Sequence, residues 1–183
     1  MNKIKEFFVD YGGIIGKILV NHIAMSIFGL IVGIATLGIN KVLFWCAGVL
    51  AVGMYAFLLY MVMWELGAKE QVSVEFGKAG LDKLKGLKIA LVTNSLFILI
   101  SILVFILSFC TTPEASVINS VYATLDSIMR LFIHSIYLPI TSVSGGFSLI
   151  FLILVIPELV VCAVSYWAGV TGKRCLFPDK KKK

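Results

Sequence analysis

Apolar positions in this chain gather into four long runs, and the charged residues are swept to the stretches between them. The runs at about residues 14–39, 42–64, 89–110 and 147–172 each hold the roughly 20 apolar residues that a bilayer-crossing helix requires. They predict an all-α membrane protein with four transmembrane helices in a single polytopic domain over residues 1–183. Before the first run, Ile4, Phe7 and Phe8 oppose Lys3, Glu6 and Asp10, the pattern of a short N-terminal interfacial helix.

Small residues mark where helices can approach. Ser26, Gly29, Gly33 and Thr36 recur at three- and four-residue steps in the first span and include a G-x-x-x-G, while Gly169 continues a small face on the last. Within one chain such a stripe packs a neighbouring span more often than it makes a homodimer. Asn40 and Lys41 form the whole turn between spans one and two, so these make a tight antiparallel hairpin. Trp45 and Trp64 stand near opposite ends of the second span, where aromatic belts anchor.

Two connections carry their own pattern. Residues 65–88 form the long charged loop: Val72, Val74 and Phe76 alternate with polar residues, suggesting an extended piece. Leu81, Leu84 and Leu87 then share one face opposite Lys78, Lys83, Lys85 and Lys88. Residues 111–146 are amphipathic. Asn119, Asp126, Ser127, Arg130 and His134 line one side against Val117, Val121, Leu125, Ile128, Met129 and Phe132. Strong segregation with moderate hydrophobicity predicts a helix on the outer membrane surface, ended by Pro139 and the SVSGG stretch.

Charge adds a topology. The Lys and Arg residues cluster at Lys3/Lys5/Lys17, between Lys69 and Lys88, and from Lys173 to Lys183. Cationic loops stay on the cytoplasmic side, so both termini and the 65–88 loop are expected inside, in a bacterial cytoplasmic membrane. A fifth span within 111–146 would place the basic tail outside, against that rule. The net charge of +6 points to anionic lipid headgroups at the cytoplasmic face, not to nucleic acid, because no folded basic face with readers of bases is present. No cleavage site closes the first apolar run, which is expected to be retained.

Candidate chemistry is sparse. Glu158, beside Pro157 in the last span, is an expensive intramembrane carboxylate and the strongest candidate for a proton or cation site. Ser101 and Tyr55 are expected at similar depth as partners, and Asn94, Ser101 and Ser108 draw a polar line on span three. His22 is expected to pair with Asn94 or a backbone carbonyl. His134 falls on the opposite side of the membrane in this topology, so the two imidazoles do not share a metal. The Asp126/Arg130/His134 spacing of i, i+4, i+8 makes a polar ridge, read as a solvated face or a docking surface. Cys46, Cys110, Cys162 and Cys175 show no metal-ligand spacing and read as packing residues. No cofactor motif and no catalytic constellation is present, so the chain is expected not to be an enzyme. Two classes remain: a non-catalytic accessory or interaction protein, with a membrane-protein partner or as a homo-oligomer, and a small transporter or channel subunit built on Glu158.

Overall fold

The computed structural model describes residues 2–77, 80, 82–112, 116–145 and 147–172, with side chains from Lys5 onward. The basic tail from Lys173 with Cys175, together with Lys78, Leu81 and Pro113, lies outside the described residues, as do the side chains of Lys3 and Ile4. All described elements are helical. In chain order they are α1 (Asn2–Leu37), α2 (Lys41–Glu75), α3 (Lys85–Cys110), α4 (Ser116–Ile128), a π-helical turn (Met129–Ile133), a 3-10 turn (Ser135–Tyr137), α5 (Leu138–Val143) and α6 (Ile150–Val170). Four of them, α1, α2, α3 and α6, are long and apolar enough to cross a membrane. In their most apolar windows only 22% to 39% of residues are buried. Ile27, Ile31 and Ile34 of α1 and Leu96, Leu99 and Ile106 of α3 stand open to the surroundings. Apolar surface on that scale is untenable in water and ordinary in lipid, so the chain is a membrane-embedded protein.

Helix boundaries differ from the expected ones for physical reasons. The N-terminal segment is not a separate interfacial helix but the first turns of α1, which runs unbroken through Gly12 and Gly13. Each mid-helix glycine costs about 1 kcal/mol, less than interrupting the hydrogen-bond ladder in an apolar setting. Nor is 72–76 extended, because α2 continues to Glu75. Its last turns carry i,i+4 pairs, Lys69 Nζ on Glu65 at 2.6 Å and Gln71 Nε2 on Glu75 at 2.7 Å, which favour helix over alternation. Asp82 starts α3 by accepting the Leu84 N–H at 3.0 Å. Lys88 donates to the same carboxylate at 2.7 Å, and this bond holds Asp82 below the usual carboxylate range. In the last span α6 carries Pro157 inside a continuous helix.

The molecule divides into two compact units, each drawing on all four long helices. The first comprises Met1–Ile18, Ala56–Thr93 and Pro157–Lys183. Here α2 and α6 meet backbone to backbone: a Cβ on Gly169 would strike the Trp64 carbonyl and sit 3.0 Å from Gly67 Cα. A Cβ on Gly86 of α3 would fall 2.9 Å from the Cys162 carbonyl. Glu70 ties this unit together. Its carboxylate accepts Tyr166 Oη at 2.6 Å, Lys85 Nζ at 2.8 Å and Tyr11 Oη at 3.4 Å, one donor from each of the other long helices.

The second unit comprises Leu19–Tyr55 and Asn94–Ile156. Between α3 and α6 the chain descends α4, turns through the π and 3-10 segments, and returns through α5. An amphipathic helix does form, but only over α4; beyond Ile128 the single helix expected gives way to a helical hairpin. Its tip packs on α1: a Cβ on Gly29 would lie 2.8 Å from Ile136 Cα and from the Ser135 carbonyl oxygen, and one on Gly33 would meet the Leu138 side chain. Gly48 of α2 receives the Pro139 ring in the same way. The G-x-x-x-G thus packs the hairpin, where a neighbouring span was expected. Val104, Met129 and Phe151 form the core beside it, with Tyr122, Leu125 and Ile133 against them.

These contacts give substitutions of opposite sign. Gly29→Leu must displace backbone and is expected to destabilise by about 3 kcal/mol or more. Gly13, with nothing within 4 Å of a Cβ, should gain up to about 1 kcal/mol as Gly13→Ala. Thermal unfolding of both variants in detergent checks the pair; equal shifts would refute the assigned packing.

Candidate functional site

The polar groups of the second unit converge on one break in helical hydrogen bonding. Across the π turn the His134 N–H reaches the Met129 carbonyl at 2.7 Å, and the 3-10 turn then pairs Tyr137 N–H with the His134 carbonyl at 2.8 Å. The Ile133 carbonyl is left to side chains of α1. His22 Nε2 lies 3.0 Å from it, and the Ser26 hydroxyl donates to it at 3.0 Å. In return the Ser135 hydroxyl donates to the Ser26 carbonyl at 2.5 Å. A carbonyl only accepts, so His22 Nε2 carries a proton, and in the neutral ring Nδ1 is left to accept Tyr55 Oη at 2.8 Å. Phe97 of α3 stacks on the same imidazole at 4.8 Å between centroids. Four segments of chain thus meet on His22.

Arg130 closes the hairpin. Its guanidinium holds Asp126 through two bonds, Nε to Oδ2 at 2.6 Å and Nη2 to Oδ1 at 3.2 Å. Nη1 reaches across to the Thr141 carbonyl at 2.6 Å and Ser144 Oγ at 3.1 Å. The planar fork suits this double duty, which a lysine could not perform. The same cation sits 5.3 Å from the Phe151 ring centre.

His134 departs most from expectation. The i, i+8 spacing placed it on a wet ridge with Asp126 and Arg130, but the π turn rotates it off that line. It is 2% exposed and lies parallel to Phe151, with centroids 5.5 Å apart and planes 6° apart. Neither ring nitrogen finds a hydrogen-bond partner among the described residues. Burial with no partner for either nitrogen disfavours an added proton, so the ring is neutral. His22 and His134, expected on opposite sides of the membrane, belong to the same unit, and His22 bonds the carbonyl of the residue preceding His134. Among the described residues no group of three or more His, Cys, Asp or Glu side chains could hold a metal.

The remaining candidates are buried. Asn94 is 1% exposed, Ser101 0% and Glu158 4%. The Ser101 hydroxyl turns onto its own helix, donating to the Phe97 carbonyl at 2.7 Å, and Ser108 does likewise to Phe105 at 2.6 Å. Tyr55 is engaged by His22. Glu158 belongs to the first unit. Cys46 and Cys110 are free exposed thiols and Cys162 a free buried one. Sequence reasoning missed the Glu70 carboxylate and the tip of the hairpin, Ile133 to Pro139. Glu70 offered a signal, an acid spaced i,i+4 from no lysine in a loop where Glu65 already pairs with Lys69. No family model, curated protein or solved structure matches the chain.

His134→Phe keeps the stack on Phe151 and removes two unpartnered polar atoms, so it should stabilise by about 1–3 kcal/mol. Thermal unfolding of this variant beside wild type in detergent checks the assignment; a lower midpoint for His134→Phe would refute it.

Proposed function

We propose that this chain is a non-catalytic accessory or interaction protein of a membrane complex, with both termini and the 65–88 connection cytoplasmic. The observation that carries this reading is the dryness of its polar groups. Asn94, Ser101 and Glu158 have almost no exposed surface, and the Ser101 and Ser108 hydroxyls are spent on their own helix. The hairpin is fastened to α1 by reciprocal backbone bonds, as a structural or recognition element would be. Lysines flanking the cytoplasmic connection suit anionic headgroups. In this orientation the hairpin is a re-entrant element: Ser26 lies about three turns from the end of α1, so the tip lies well below the ends of the spans. Irregular backbone is tolerated at such depth only when protein surrounds it, as it does here. Single cysteines at Lys83 and Ser127 in a cysteine-free background test the orientation. An impermeant thiol reagent on intact cells should label position 127 and spare 83; the reverse would overturn it.

A second reading, a small proton or cation transporter, is favoured by Glu158 itself, a buried carboxyl in an apolar helix next to Pro157. Proteoliposomes separate the two. The accessory reading expects no flux above empty vesicles under an imposed gradient, from either wild type or Glu158→Gln. Flux in wild type that Glu158→Gln abolishes would replace the accessory reading with transport.

A further inference from the structure

We propose that the groove between α2 and the hairpin is a binding site for one anionic phospholipid, its acyl chain in the groove and its phosphate at Lys41. One wall is Trp45, Val49 and Val52, the other Ile136, Pro139 and Ile140, and together they enclose about 190 Å³. No charged residue lines it. Both walls belong to the second unit, and Pro139 seated on Gly48 fixes the spacing between them. The groove opens to whatever bathes the spans, because Val49 is 71% and Trp45 44% exposed. An apolar cleft of this size in a membrane protein is filled by hydrocarbon, since water would find no polar partners there.

Lys41 makes the site selective. Lys41, Trp45, Val49 and Val52 follow one another at i, i+4, i+8 and i+11, so the cation stands on the groove's own face of α2. Val52 lies about 16 Å along the helix from Lys41, matching the reach from a phosphate into the upper acyl chain. Trp45, one turn below the lysine, suits the headgroup level. The charge is also available. Among the described residues of this unit the other cation is Arg130, which is held by Asp126, whereas Lys41 is exposed and makes no ion pair. A zwitterionic lipid offers the same chain without the net charge. One basic residue near the surface then implies a preference on the order of fivefold for the anionic lipid.

The proposal rests on membrane embedding alone, and neither the accessory role nor Glu158 enters it. Trp45 supplies a local probe. Its fluorescence is the difference between the unaltered protein and Trp45→Phe, in vesicles carrying brominated-chain phosphatidylglycerol or brominated-chain phosphatidylcholine at equal mole fraction. The Trp45 component should be quenched with an apparent association about fivefold stronger for phosphatidylglycerol. Lys41→Gln should bring the two lipids to equal apparent association, and Ile140→Phe, which narrows the groove, should weaken phosphatidylglycerol quenching with Lys41 intact. The lysine clusters elsewhere do not enter the readout, because it reports only lipid at Trp45. Equal quenching by the two lipids in wild type, or a preference that survives Lys41→Gln, would overturn the site. So would displacement by soluble glycerol phosphate, which would make the ligand a free phosphate.

Discussion

A backbone carbonyl removed from water needs a donor, and the carbonyl of Ile133 sits where the regular helical pattern gives way. Two side chains of α1, His22 and Ser26, supply the missing donors, and Ser135 returns a bond to the α1 backbone. Much of the second unit follows from meeting that requirement. The tip must approach α1 closely, so Gly29 and Gly33 are where a side chain would obstruct it. The arms of the hairpin must then be held together, which Arg130 does from Asp126 across to Thr141. His134 is carried inward by the same turn and trades solvent for the face of Phe151.

The four spans were legible in the sequence because a run of some 20 apolar residues has few other uses. The hairpin was not. Segregation of polar and apolar residues over 114–140 is a true property of the sequence, but it assumes a helix of constant pitch. A π turn adds one residue per turn and shifts everything after it, which is why Asp126 and Arg130 remain neighbours while His134 leaves the line. Gly29 and Gly33 were recognised as contact residues and their partner was not, since a stripe of small residues reports close approach without naming what approaches. Gly48, Gly67 and Gly86 were passed over for want of a repeating partner, though each meets a neighbour just as closely. Likewise, Glu70 looked like one charge among many in a cytoplasmic loop, because its donors come from three distant segments.

The two units place their polar groups in different surroundings. In the second, the bonds run largely between neutral side chains and backbone, the kind of contact that survives away from water. Its one ion pair among the described residues, Asp126 with Arg130, is buttressed by further donors and acceptors. In the first, a lysine, a carboxylate and two phenols share a node in which Glu70 and Lys85 are each about one-fifth exposed. Partial exposure lowers the cost of bringing those charges together, so this node can hold an ion pair that a dry interior would tolerate poorly.

The Glu70 node also bears on how the chain assembles. Tyr11, Glu70 and Lys85 all leave the ribosome before Tyr166, which follows Glu70 by 96 positions. A nascent chain holding only the first three long helices has the carboxylate and its lysine but lacks the phenol that makes the shortest bond, and Gly67 still awaits Gly169. The final helix therefore acts as a keystone, engaging groups that have been in the membrane since early in synthesis. Chains truncated before it would present an unfinished polar surface, the kind of feature by which quality-control machinery distinguishes incomplete membrane proteins from finished ones.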